Sequence, residues 1–168
     1  MLLPKKLYHG SAYRHTELMP GFNRTGSLVE WDKTENNKFL YATADRDSAI
    51  ELGFASSIEK KFYLDRFKSS GRMLLIETPD KTLTVSKLYE LDVFLYDIIV
   101  TVNDGWVKNN NQHNGITTEF KTPKTITSIE KCEKINVREW LSNFDVQIKT
   151  VNQSQESLRS DPAKFMDW

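Results

Sequence analysis

A single cysteine, Cys132, is all the thiol this 168-residue chain carries. It has no internal partner for a disulfide and no second thiolate for a metal site. Its setting in "SIEKCEKI", among charged residues, is that of a quiet structural side chain. Charge of one sign is lacking as well. Twenty-three basic and twenty-three acidic residues cancel, which disfavours nucleic-acid or anionic-membrane binding driven by bulk charge. Nowhere do about 18 apolar residues run together, and "MLLPKK" has no apolar signal-peptide core. The expectation is a soluble protein without a membrane partner, cytoplasmic, or in a host cell's cytoplasm if phage-encoded or exported without a classical signal. Histidine is scarce too: His9, His15 and His113 lack the spacing of a metal site. No GxSxG elbow, phosphate loop or GxGxxG occurs, so hydrolase-elbow, P-loop and Rossmann readings lose their main support. No metal is expected.

What the chain does have is aromatic mass. Nine Phe, six Tyr and four Trp can fill the core of one domain. That domain is expected over residues 1–150, followed by a polar C-terminal tail, 151–168, in which Phe165, Met166 and Trp168 are the docking candidates. "KLYH" reads as a short strand, followed by a polar loop from Ser11 to about Lys38, longer than ordinary connections. "KFLYAT" (38–43) is the next strand. The stretch 44–67 reads as helical, with Asp45 as N-cap and Ala49, Leu52, Ala55, Ile58 and Phe62 at helical spacing, though Gly53 interrupts it. From residue 72 the pattern becomes β: 72–78, 82–86, 93–101, 115–120, 125–135 and 146–150, with a helical turn at 137–141. The order predicts an α+β fold with a mostly antiparallel sheet and a helix after the second strand.

Two strand ends carry the functional signal. The first ends in Tyr8-His9-Gly10-Ser11 and the second in Leu40-Tyr41-Ala42-Thr43. The order "LYHGS…LMPG…FLYATADRDSA" resembles ADP-ribosyltransferases of the diphtheria-toxin/PARP class, in particular small bacterial and phage members similar to the rifampin-modifying enzymes. The resemblance covers residues 6 to 55, with a weaker likeness through "VFLYDI", "TTEFKTPKTI" and "VREWL". It implies a split β-sheet on which a His-Tyr-Glu triad clamps NAD, a co-substrate here. On that resemblance His9 binds a ribose hydroxyl, Gly10 lets the backbone meet the nicotinamide carboxamide, and Tyr41 stacks on the nicotinamide ring. Ser11 or Thr43 braces the site, and Arg14, Asn23 and Arg24 face the pyrophosphate.

The chemistry gives these residue types their reason. Cleaving the bond to nicotinamide leaves an oxocarbenium-like ribose, so positioning and charge stabilisation matter more than a strong acid. The carboxylate that opposes this charge is assigned to Glu119 in "GITTEF", with Glu77 and Asp80 in "LLIETPD" as rivals. Thr117 stands two residues before Glu119, so the Gln/Glu-x-Glu pair of arginine-specific toxins is missing. The catalytic set is therefore His9, Tyr41 and Glu119. The function implied is mono-ADP-ribosyl transfer from NAD to a protein, nucleic acid or small molecule. Alternatives on the same fold are an NAD glycohydrolase, a non-catalytic NAD- or ADP-ribose-binding module, and an RNA 2′-phosphotransferase-like enzyme. In a plain interaction domain, Tyr41 is a core tyrosine alternating with Phe39, and Thr43 only a cap.

Overall fold

The computed structural model describes residues 2–20, 39–57, 62–67, 71–77, 85–109, 118–150 and 152. Among them the chain runs β1 (Lys6–Ser11), β2 (Leu40–Thr43), α1 (Arg46–Ser57), β3 (Phe62–Phe67), β4 (Arg72–Glu77), α2 (Val85–Tyr89) and β5 (Asp92–Ile99). A 3-10 turn at Val102–Asp104 leads to β6 (Val107–Lys108), β7 (Glu119–Thr122), β8 (Ile129–Asn136), α3 (Val137–Leu141) and β9 (Asp145–Thr150). A six-stranded sheet has the order β6-β7-β2-β1-β5-β8, every neighbouring pair antiparallel. A second sheet, β3-β4-β9, pairs β4 with β9 in parallel. The chain is thus α+β with a mainly antiparallel sheet and a helix after the second strand, as its pattern predicts. Among the described residues no helix is long and apolar enough to cross a membrane.

Alternation explains how the large sheet buries both faces. On β5, Val93 and Leu95 join a cluster with Ala49, Ile50 and Phe54 of α1 and Val137, Trp140 and Leu141 of α3. Tyr96 and Ile98, further along the strand and on its alternate face, join Leu7, Leu18, Leu40, Ala42, Trp106, Phe120 and Ile126. The second cluster is closed by a bridge between Leu18 and Ile126, whose main chains exchange hydrogen bonds of 3.0 and 2.8 Å. The described part of the long first loop is thereby tied down across the sheet.

Helix α1 starts where the sequence places its cap: the Ser48 N–H donates to the Asp45 carboxylate at 3.2 Å. The helix then lies against β1 at a crossing made by two glycines. A Cβ on Gly10 would stand 1.8 Å from the Ala49 carbonyl oxygen, and one on Gly53 would stand 2.9 Å from the Gly10 carbonyl carbon. Gly53 therefore sits in the helix for close approach, which outweighs its propensity cost of about 1 kcal/mol.

Three expectations are corrected. The helical reading of 44–67 ends at Ser57, and Phe62–Phe67 is a strand paired antiparallel with β4. Its dense aromatic and branched residues suit a pleated surface as well as a helix, and the pairing partner decides. Leu52, assigned to the buried stripe, is 43 % exposed; the face that packs is Ala49, Ile50, Gly53 and Phe54. Finally, of the strand expected at 82–86, Val85 and Ser86 are instead the first residues of α2. Residues 82–84 lie outside the described residues.

Candidate functional site

The two strands that carry the motif residues are neighbours, and β7 with Glu119 is next to β2. His9, Tyr41 and Glu119 thus lie on three consecutive strands. Along the seam between β1 and β2 the described residues share a single register pair, Tyr8↔Thr43. On its other side β1 pairs with β5 from Lys6↔Ile99 through Ser11↔Phe94. Beyond Tyr8, where His9, Gly10 and Ser11 run alongside Ala42, Tyr41 and Leu40, the ladder to β2 stops. His9 occupies this opening, with its Nδ1 2.8 Å from the main-chain carbonyl of Tyr41. A carbonyl only accepts, so Nδ1 carries the hydrogen, which leaves Nε2 as the acceptor nitrogen whenever the ring is neutral.

Register determines which side chains share a face. Thr43 stands opposite Tyr8 on β1 and opposite Glu119 on β7. Tyr41, two residues along from Thr43, stands opposite Lys121. Tyr8, Thr43, Tyr41 and Glu119 therefore belong to one face, whereas alternation assigns His9 and Ser11 to the other, with Leu7. The structure joins His9 to Tyr41 through the backbone at the seam and not through facing rings.

Tyr41 is 5 % exposed, and its ring meets Phe39 edge-on at 6.5 Å between centroids. Lys121 Nζ lies 4.6 Å over the Phe39 ring. Thr43 Oγ1 accepts from the Asp45 N–H at 3.1 Å, a local turn that leads into α1. Glu119 is half-buried; its carboxylate Oε2 accepts from Asn109 Nδ2 at 3.0 Å.

Of the rival acids, Glu77 ends β4 in the other sheet, where its register partners are Phe62 and Thr150. Asp80 lies outside the described residues, as do Asn23 and Arg24. Arg14 is exposed. The tail residues Phe165, Met166 and Trp168, and His113, also lie outside them.

Behind His9 is a polar group of which sequence reasoning named only Ser11. Ser11 Oγ accepts from the Tyr13 N–H at 3.1 Å and stands 3.1 Å from His15 Nε2. The fully buried Tyr96 hydroxyl accepts from the His15 N–H and donates to the Tyr13 carbonyl at 3.2 Å. The Tyr96 ring also neighbours the imidazoles of both His9 and His15, with centroids 6.2 and 6.3 Å away. Burial pushes the Tyr96 hydroxyl up to about 12 and lowers His15 below the usual histidine range, so both are neutral at pH 7. The only signal in the sequence was the 3.6-blind spacing of Ser11, Tyr13 and His15 in a loop, which carries no pattern. Asn109 was hidden likewise, one of several asparagines in a polar run.

Among the described residues no group of three or more His, Cys, Asp or Glu side chains is arranged to hold a metal ion. Comparisons with family models, with curated proteins and with solved structures find no match to the chain.

Proposed function

We propose that this chain is an NAD-dependent mono-ADP-ribosyltransferase, with His9, Tyr41 and Glu119 as its catalytic residues. The observation that carries the reading is the open seam beside the single Tyr8↔Thr43 pair, with the His9 imidazole bonded to the Tyr41 carbonyl and the Glu119 strand next in order. A seam of this kind lets a flat, polar ring enter edge-on and meet strand backbone. The specific ADP-ribosyltransferase arrangement is part of this proposal.

In this mechanism the bond between the ribose C1′ and the nicotinamide nitrogen breaks, and its electron pair leaves with nicotinamide, neutralising the pyridinium. Glu119 opposes the positive charge that develops on the ribose and holds its 2′-hydroxyl. His9 lies on the other face of the sheet, so its contact needs the ribose seated in the seam between the two faces, where Nε2 accepts a second hydroxyl with its orientation set by the Nδ1–H bond to Tyr41. The acceptor then bonds to C1′ and gives up its proton to water. Tyr41 is nearly covered, so stacking on nicotinamide requires a movement that bares its ring.

Incubation with NAD labelled in its adenylate part, with and without cell lysate, tests the reading. Transfer of label to a macromolecule or a small molecule is the expected result; free ADP-ribose instead identifies a glycohydrolase, and binding without turnover a binding module. Absence of both binding and turnover defeats the proposal. Glu119→Ala should lower turnover about 10²- to 10³-fold, the scale of one lost electrostatic contact to a transition state, while NAD still binds. Full activity in that variant moves the acid to Glu77 or Asp80.

A further inference from the structure

We infer that Asn109 is the positioning residue for the Glu119 carboxylate. The inference rests on the transferase reading above and concerns the same site. Asn109 follows β6 directly and continues its register, in which Val107 pairs with Lys121 and Lys108 with Phe120, so that Asn109 comes opposite Glu119. It grips that residue twice. Its main-chain N–H donates to the Glu119 carbonyl at 2.9 Å, and its side-chain Nδ2 donates to Oε2 at 3.0 Å.

Burial makes the grip meaningful. Asn109 is 3 % exposed, a polar side chain taken almost wholly out of water at the end of a two-residue strand. Burying an amide costs free energy unless it is hydrogen-bonded, and a carboxylate is a stronger acceptor than a neutral partner. Asparagine also suits this place chemically: it donates to a carboxylate without having a charge to neutralise it. One oxygen, Oε2, is held by the amide, and Oε1 is the oxygen not engaged by Asn109. On the other side of Glu119 stands Thr43, whose Oγ1 is the acceptor for the Asp45 N–H. The carboxylate is thus flanked by a donor on one strand and a fixed threonine on the other. A glutamate that must face a developing cation gains from such orientation, because a misplaced group loses most of its effect.

A double-mutant cycle tests this. Steady-state NAD cleavage is measured for the wild type, Asn109→Ala, Glu119→Gln and the double variant. Asn109→Ala should lower kcat on the order of tenfold to a hundredfold, with KM for NAD changed less than about threefold. In the Glu119→Gln background the same substitution should cost less than about twofold, since the carboxylate it orients is gone. Asn109→Asp keeps the shape and removes the donor, so it should lose activity like the alanine variant, and it replaces alanine in the cycle if that variant does not fold. Equal losses in both backgrounds would make Asn109 a structural residue only and overturn the inference, as would full activity of either variant. Wild-type protein that leaves NAD intact overturns the transferase reading itself, a separate outcome seen before any variant is made.

Discussion

Strand β1 has two neighbours and treats them differently. Toward β5 each of its residues, from Lys6 to Ser11, has a register partner; toward β2 the described residues share only Tyr8↔Thr43. The closed seam is backed by α1 and by core residues on both faces. At the open one the polar groups are met from elsewhere, His9 supplying a side-chain donor to the Tyr41 carbonyl. A backbone carbonyl left without a ladder partner inside a protein must find another donor. A histidine is a chemically versatile choice, since the donor that satisfies the strand also fixes its tautomer. The comparison teaches that His9 and Tyr41 meet where, among the described residues, the ladder is incomplete, while Glu119 sits one fully paired strand away.

The largest effect should come from disturbing the closed side. Gly10→Ala places a Cβ against the Ala49 carbonyl, a main-chain atom that cannot swing away, and should cost about 3 kcal/mol or more of unfolding free energy in denaturant titration. A loss below about 0.5 kcal/mol would show that α1 rides less tightly on β1 than its geometry says. Next in size is Tyr96→Phe, which keeps the ring and removes the hydroxyl from the His15 N–H and Tyr13 carbonyl. It should cost roughly 2 kcal/mol at pH 7.

The same variant has a pH signature. Burial raises the folded Tyr96 to about 12 from an ordinary value of 10.0. Its protonated form is thus favoured by folding, and that stability is full below pH 10 and lost as pH rises toward 12. The wild-type protein should lose its advantage over Tyr96→Phe across that window. A difference that stays constant through it would rule out a buried neutral hydroxyl. His15 acts in the opposite sense: burial lowers it, so its contribution is present above about 6.5 and falls away on acidification.

The smallest effect needs no substitution. Successive amides of β1 point to alternate neighbours. Those toward β5 should exchange hydrogen about tenfold more slowly than those toward β2. Equal protection on both sides would mean that the seam is closed in solution.

Much of the architecture was legible because it has a local cause. β1, β2, β5 and α3 are short apolar runs with clear punctuation, and Asp45 announces α1. What was hidden depends on partners distant in sequence. Phe62–Phe67 extends because β4 lies beside it, and Val85 opens a helix although its β-branched surroundings favour a strand. β6 is two residues long, below the length at which alternation can be read. His9, Tyr41 and Glu119 are named from a resemblance in motif order, and the fold sets them on three neighbouring strands. Asn109 and the Tyr96 hydroxyl could not be named, because what distinguishes them is a hydrogen bond across the fold. Nor could the division of the three motif side chains between two faces, which depends on a register no spacing records.

The crossing of Gly10 and Gly53 reaches further than packing. Gly10 is required by the Ala49 carbonyl of the helix, and Gly53 by the Val93 side chain and the Gly10 backbone, so the His-Gly-Ser strand and the helix that crosses it form one heritable unit. Among relatives of this chain, the two sites should co-vary: a larger residue at one would be accompanied by a displaced or differently built helix. For anyone transplanting the motif into another sheet, the strand alone is an incomplete graft, and the small residue on the helix has to travel with it.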